Sequence, residues 1–530
     1  MRVLVTGGTG VVGRATVDAL LAREHEVRLM SRNAAEDVAE WKHRVEAFPG
    51  DVANEVETRG AADGCDAVIH LTAIVAEAPP EVTFERVNVE GTRHIVRESE
   101  RAGVTRFIYV SSLGAERGDS PYHRSKRRAE EIAQTFAGKW IIIRPGNVYG
   151  NGDDQLSLIL RMVRTLPAVP VISGGDRPFQ PIWAGDAGEA LAIAAERDDL
   201  AGRTLEVAGP EQTTFDDIVE RFARITKRDP IRLPVPIPLA SVALRAAHAL
   251  GADVPIDSGQ LTMLSEGNIV TSADGNALTT VFGITGTKLD EGLTLLADDQ
   301  PEVLPNEGVG ALRRKRFWAD IAGSRFDPEG LFQHFVSNFA DCTPWRVDVD
   351  AEPGTSRVPE LGGVMTIKLP IRGNVQIRVV ELEARRMTVC TVFGHPLAGA
   401  VRFLAEDRGA NVRFEVQVFD RAASVADWLL LNPVGSRLQN ATWRETVERV
   451  VKDSGGRASA GIEHDFSTLD DQQAAEIHDW IERLVVTQRQ MDHEARQDVR
   501  PGDSAGAKTE RATQASYIEQ REETREADGR

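Results

Sequence analysis

TGGTGVVG, residues 6–13, decides how this chain is read. It follows the apolar run RVLVT (2–6) and precedes the amphipathic stretch RATVDALLARE (14–24), so Gly7, Gly10 and Gly13 fall where a strand turns into a helix. Glycine there lets the backbone turn tightly and come close to a pyrophosphate, while the unpaired N–H groups and positive dipole end of the helix face the negative charge. A glycine triplet alone is common. At the first strand–helix junction of an alternating α/β pattern it predicts a dinucleotide site.

Outward from that turn, the apolar runs EVRLMS (26–31), DAVIHLT (66–72), RFIYVSS (106–112) and WIIIRP (140–145) alternate with helical stretches such as GTRHIVRESERAG (91–103). Runs buried on both faces and joined by helix-length crossovers predict an α/β, Rossmann-type, doubly wound parallel sheet. Looser helices and proline-rich turns around LPVPIPLA (233–240) predict a substrate cap, so this first domain is expected over residues 1–300. The Pro-, Gly- and charge-rich segment 301–314 is expected to be a linker. Period-two runs follow, among them NVQIRVVELEA (374–384) and VRFEVQVFD (412–420), and then the helical NATWRETVERVVKD (440–453). They predict a smaller α+β domain with an antiparallel sheet over 315–455. Residues 456–530 are expected to form a polar tail, with one helix over 467–488 that places Ile477, Trp480, Ile481 and Leu484 on one face. The rest of that tail has little to bury and is expected to be disordered.

A chain of 530 residues needs at least two hydrophobic cores. The net charge of −19 argues against a nucleic-acid partner, which would be bound through clustered Lys and Arg. Cys65, Cys342 and Cys390 are too scattered for a metal cage and suit a reducing cytoplasm. Stretches such as LASVALRAAHAL (239–250) are too short to span a bilayer and carry Arg245 and His248, and the N-terminus reads as a first strand rather than a signal peptide.

The end of the second strand reads cofactor identity. An acid there would hold the adenosine ribose, whereas VRLMSRN (27–33) offers Ser31 and Arg32. Arg32, with Arg14 in the first turn of the helix, could pair with a 2′-phosphate, which favours NADP(H) over NAD(H); the competing reading is two solvated surface charges. Asp51 in PGDV (49–52) either accepts from the adenine amino group or forms a turn.

YHRSK (122–126) puts Tyr122 and Lys126 one helical turn apart on the same face. A phenol with an ordinary pKa near 10 is a poor base, but an adjacent ammonium stabilises the phenolate and would let Tyr122 exchange a proton with an alcohol or carbonyl. Ser112, ending FIYVSS, could donate to the same oxygen.

TGGTGVVG, GDV, HLTA, VNVEGT, YVSS, YHRSK and RPGNVYGNG occur in the order and rough spacing of the short-chain dehydrogenase/reductase family, and residues 1 to about 300 resemble its extended and atypical branches. The resemblance implies that Tyr122 is the acid/base, Lys126 its helper and nicotinamide-ribose ligand, and Ser112 the hydroxyl partner. It also implies cofactor contacts from Val11, Val12, Val52, Leu71, Thr72, Ala73, Asn88, Pro145, Asn147 and Val148. In QPIWAGDAGEA (180–190), Trp183 stands near the histidine position of many extended members and Asp186 is retained. That departure moves the resemblance from nucleotide-sugar enzymes toward the branch of the NADPH-binding accessory subunit of respiratory complex I. Homodimers through paired helices are common in the family.

The partner expected is a small molecule. The apolar LSLILRMVRTLPAVPVI (156–172) suits either a lipophilic substrate pocket or an ordinary core. The 315–455 segment faintly resembles START-like helix-grip folds; His395 reads as a turn residue, and Trp345, Trp428 and Trp443 as core. The function expected is an NADP(H)-dependent oxidoreductase or epimerase-like enzyme acting on a carbonyl or alcohol. The alternative is a non-catalytic cofactor-binding scaffold or redox sensor.

Overall fold

Alternate residues of a strand point to opposite faces, and in the first domain both faces are covered. The structure, a computed structural model, describes residues 1–172, 177–235, 268–343, 348–349, 352, 357–369, 373–424, 427 and 434–497. Strands β1 (Arg2–Thr6), β2 (Glu26–Ser31), β3 (Val45–Pro49), β4 (Ala67–His70), β5 (Arg106–Val110), β6 (Lys139–Pro145) and β7 (Arg203–Val207) form one sheet. Its order is β7-β6-β5-β4-β1-β2-β3, and every pairing is parallel. Val3, Val5, Ile69, Ile108 and Ile141 pack on one face against helices α1 (Val11–Ala22) and α4 (Ala184–Glu196). Leu4, Val68, Phe107, Tyr109 and Ile142 pack on the other, against the helix Gly91–Arg101 and helix α2 (Pro121–Ala133). Each of the aliphatic and phenylalanine side chains among them contributes about 1.5–3 kcal/mol by leaving water. The order reverses direction at β1, so the carboxyl ends of β1 and β4 open a crevice where such sheets bind ligands.

Beyond the sheet, helix α3 (Leu156–Thr165) and the helices Phe215–Ile225 and Leu289–Asp298 make a separate core through Leu160, Val163, Phe222, Leu293 and Leu296. The apolar run 156–172 is therefore largely core. Part of the proline-rich turn region, 236–240, and the stretch 239–250 lie outside the described residues, as do Trp345, Trp428 and the last part of the expected tail, 498–530.

The second domain begins with β8 (Val309–Ala322), two short helices (Pro328–Ser337 and Phe339–Cys342), and then β9 (Asp348–Val349), β10 (Val364–Leu369), β11 (Gly373–Glu383), β12 (Arg386–Thr391), β13 (Leu397–Arg408) and β14 (Asn411–Ala422). Helix α5 (Val434–Asp453), strands β15 (Arg457–Ala458) and β16 (Glu463–Thr468), and helix α6 (Asp471–Gln497) complete it. The strands form an antiparallel sheet of order β9-β10-β11-β12-β13-β14-β8-β15, with β16 also paired to β8. Phe335, Phe339, Phe403 and Phe414 fill the space between sheet and helices with ring centres 4.9–5.8 Å apart. Val447 and Val450 of α5 join that cluster, and Trp443 packs on Phe403, in the core as expected. His395 closes a turn, its Nδ1 accepting from the Leu397 N–H at 3.1 Å.

Two sequence expectations are corrected here. The linker does not extend to 314, because β8 already starts at Val309 and pairs with β14. Nor is 456–497 a polar tail: β15 and β16 extend the sheet, and the helix runs over Asp471–Gln497 rather than 467–488. Its apolar stripe has a partner, since Ile481 and Val485 are buried with Val380, Cys390 and Ala400 while Ile477, Trp480 and Leu484 flank them.

The two domains meet through a polar, buried interface. Arg164 of α3 is paired with Glu352 at 2.6 Å, both almost wholly buried, and also donates to Gln376 Oε1 and to the Ala297 carbonyl. Among the described residues no helix is long and apolar enough to cross a membrane.

Candidate active site

The glycine turn is close-packed for a reason visible in its neighbours. Gly7 has φ +74°, and a Cβ there would lie 2.7 Å from the Thr72 nitrogen; a Cβ on Gly13 would lie 2.1 Å from the Gly7 carbonyl oxygen. Side chains at these positions would push apart β1, β4 and the start of α1. Left bare, the turn floors one end of a cleft of about 670 Å³.

Helix α2 brings the Tyr–Lys pair to the other end. Ser120 caps it, its side chain accepting from the His123 N–H at 3.1 Å, and Pro121 occupies the first turn, where no N–H is needed. Tyr122 stands half-buried on the cleft wall, edge-on to Phe84 at 6.2 Å. Lys126 is buried one turn on; its Nζ donates to the Val110 carbonyl at 2.7 Å and lies 4.5 Å from the centre of the Tyr109 ring. Burial pulls the Lys126 ammonium down to about 7, against an opposing pull from Glu130, and pushes the Tyr122 phenol up to about 12. The phenol is thus shifted opposite to the sequence expectation, because lost hydration disfavours the phenolate while the Lys126 ammonium gives its hydrogen bond to the backbone.

Of the residues singled out in the sequence, the cleft is lined by Gly7, Gly10, Val11, Val12, Gly13, Ser31, Arg32, Asp51, Val52, Leu71, Thr72, Ala73, Ser112, Tyr122, Lys126, Pro145, Asn147 and Val148. Two stand elsewhere. Asn88 is buried behind the wall, in a π-helical turn (Glu85–Glu90). Its Oδ1 accepts from the Ile74 N–H at 2.8 Å, and its Nδ2 donates to the Ile74 carbonyl at 3.1 Å and to Ser125 Oγ at 2.9 Å. Arg14 turns away to Glu40, at 3.1 Å. Ser31 Oγ donates to Asp37 Oδ2 at 2.5 Å, so its hydroxyl is already engaged. Asp51 makes a local turn, Oδ1 accepting from the Ala53 N–H at 2.9 Å, and lines the cleft as well. Asp186 accepts from the Thr287 N–H at 2.7 Å, while Trp183 packs edge-on to Tyr149.

Several lining residues carried no sequence signal. Asn268 Nδ2 donates to Asn147 Oδ1 at 2.9 Å, and Asn147 Nδ2 donates to Gln155 Oε1 at 2.8 Å, an amide chain assembled from three separate segments. Asp153 accepts from the Leu156 and Ser157 N–H groups and the Ser157 hydroxyl; burial nonetheless raises its carboxyl to about 6. Ile74, Val75 and Val82 make an apolar stretch of the cleft wall, flanked by the ion pair of Arg86 with Glu81 at 2.9 Å. Ser111 Oγ and Asn268 Oδ1 are buried at the cleft with no hydrogen-bond partner among the described residues. The bare glycine cradle and these two orphaned oxygens fit a polar ligand such as a dinucleotide.

A parallel doubly wound sheet with a glycine turn at its first crossover defines a nicotinamide-dinucleotide-binding fold. The chain belongs to the NAD dependent epimerase/dehydratase family, whose model matches residues 3–208. A ceramide reductase of Caulobacter vibrioides is 31% identical over 256 residues, covering 48% of this chain and 80% of that protein. The mitochondrial NADH dehydrogenase [ubiquinone] 1 alpha subcomplex subunit 9 of Arabidopsis thaliana is 28% identical over 283 residues, 51% of this chain and 69% of its own. Among solved structures, a UDP-glucose 4-epimerase of Thermotoga maritima aligns with a TM-score of 0.45 at 19% identity, over 56% of this chain and 97% of that one.

Proposed function

We propose that this protein is an NADP(H)-dependent oxidoreductase that reduces a carbonyl group on a lipophilic small molecule. The observation that carries the reading is one cleft joining the glycine cradle to Ser112, Tyr122 and Lys126. Gly7, Gly10, Gly13 and the start of α1 would hold the pyrophosphate, Arg32 the 2′-phosphate, and Leu71–Ala73 with Pro145–Val148 the remainder. Bound there, the dinucleotide supplies the hydride.

The chain's own residues handle the proton. A phenol held near 12 is protonated at neutral pH, so Tyr122 Oη is a proton donor, the form a carbonyl reduction requires. Ser112 Oγ would donate to the same substrate oxygen and orient it. Lys126, when charged, offsets the negative charge left on the Tyr122 oxygen. The apolar wall of Ile74, Val75 and Val82, together with the similarity to a ceramide reductase, supports a lipophilic substrate. The order of the second domain (strand, two short helices, six strands, long helix) supports a helix-grip reading, and its interior is occupied by its own phenylalanines. We assign it a bracing role rather than ligand carriage.

A second reading has its own observation: Lys126 gives its hydrogen bond to the Val110 carbonyl rather than to Tyr122, as in a site that binds dinucleotide without turnover. NADPH consumption by the pure protein over a panel of long-chain ketones and aldehydes separates the two. Tyr122→Phe is expected to lower turnover at least ~100-fold with dinucleotide affinity unchanged. Stoichiometric binding with no consumption on any substrate establishes the scaffold instead.

A further inference from the structure

Arg14 is drawn away from the cleft by two contacts at the adenosine end. Its Nε donates to the Thr9 carbonyl at 3.1 Å and its Nη1 to Glu40 Oε2 at 3.1 Å. The Glu40 side chain is only 10% exposed, and its other oxygen, Oε1, is buried with no hydrogen-bond partner among the described residues. Glu40 belongs to the turn Ala39–Arg44, and that turn is the dock of helix α6 from the second domain: Gln490 Nε2 donates to the Ala39 carbonyl at 2.8 Å. The preceding residue, Arg489, is paired with Glu302, and Glu40 is among the carboxylates whose charge acts on it. Burial works against the Arg489 guanidinium, but Glu302, then Glu40 and Asp299, hold it above its ordinary range. Glu40 therefore pairs with a guanidinium of its own domain and, without a hydrogen bond to it, lies in the field of a second one from the other domain.

We propose that Glu40 is a selectivity residue for the dinucleotide, and that Arg489 of the C-terminal helix sets how firmly Glu40 holds Arg14. The proposal rests on the reading of the first domain as an NADP(H) site. A carboxylate that shares its charge with Arg489 binds Arg14 less tightly, and a looser Arg14 can turn toward a 2′-phosphate beside Arg32. Without Arg489, the whole charge of Glu40 falls on Arg14 and repels the phosphate as well. NAD(H) lacks that phosphate and is indifferent to the balance. The second domain thereby acts on the cofactor pocket through α6, without contributing a residue to it.

Fluorescence titration of the full chain with NADPH and NADH tests this. Glu40→Gln, which frees Arg14 without changing shape, is expected to tighten NADPH about three- to fivefold and leave NADH unchanged. Arg489→Gln is expected to weaken NADPH about two- to threefold, and Arg489→Lys to restore it, since charge rather than packing carries the effect. In the double variant Glu40→Gln/Arg489→Gln the loss disappears, because Arg489 acts only through Glu40. An unchanged NADPH/NADH ratio in Glu40→Gln, or additive effects in the double variant, overturns the proposal. Failure of the unaltered chain to bind either nucleotide overturns the NADP(H) reading itself. A preference for NADH that Glu40→Gln shifts toward NADPH upholds the role of Glu40 and corrects the cofactor.

Discussion

Lys126 is held at a place where its charge is costly. With its pKa lowered from 10.5 to about 7 by burial, the ammonium costs the fold on the order of 4 kcal/mol at neutral pH and below. The sign follows from proton counts: between about pH 7 and 10.5 the unfolded chain keeps a proton that the folded chain has lost, so stability rises with pH across that window. Lys126→Met is therefore expected to raise the thermal midpoint at pH 6.5, with the gain fading as pH approaches 10.5, as scanning calorimetry at several pH values would show. An advantage that grows with pH would contradict the assignment. Such a penalty in an ordinary helix is what a functional position looks like. The Tyr122–Lys126 spacing is readable in YHRSK, but the shifts are not, because the groups that bury and bond Lys126, Tyr109 and Val110, come from strand β5. Likewise Arg14 reads as available for a phosphate and Ser31 for a cofactor contact, but in the fold Glu40 and Asp37 engage them.

At the scale of elements, the glycine turn is the least tolerant part of the fold. Gly13→Ala would place a methyl 2.1 Å from the Gly7 carbonyl and 2.6 Å from the Gly8 Cα, backbone atoms that cannot rotate aside. Opening the turn is expected to cost about 1–3 kcal/mol in urea unfolding and to abolish dinucleotide binding in the same titration used for the unaltered chain. Retained affinity would mean that the cradle is not where the pyrophosphate sits. The seven parallel strands could be read directly because each is a short apolar run between helices. β16 could not: EHDFST alternates between half-buried and exposed positions at the sheet's margin, with Phe466 its one large apolar side chain, and reads as polar loop. The stripe of α6 was visible in Ile477, Trp480, Ile481 and Leu484, but a helix face does not name its partner, and an acidic, glutamine-rich flank made the region look like a tail.

At the scale of the whole molecule, the two sheets are joined by charges taken out of water. Arg164 and Glu352 lie 188 residues apart, are 5% and 4% exposed, and satisfy each other together with Gln376, Asn374 and the Ala297 carbonyl. Neither partner has a local signature, so this contact between the domains is not legible in the sequence. Arg164→Met takes the guanidinium away from the buried Glu352 carboxylate and is expected to cost about 3–5 kcal/mol in equilibrium unfolding, part of which Glu352→Gln in the same chain should recover. A loss under ~1 kcal/mol would mean that water reaches the pair. The bond from Gln490 to Ala39 closes a loop of 451 residues. Synthesis at about 5–20 residues per second separates those two residues by roughly 20–90 seconds. Throughout that interval Glu40 lacks Arg489, so on the proposal above the nascent first domain would hold NADPH about two- to threefold more loosely than the finished chain does.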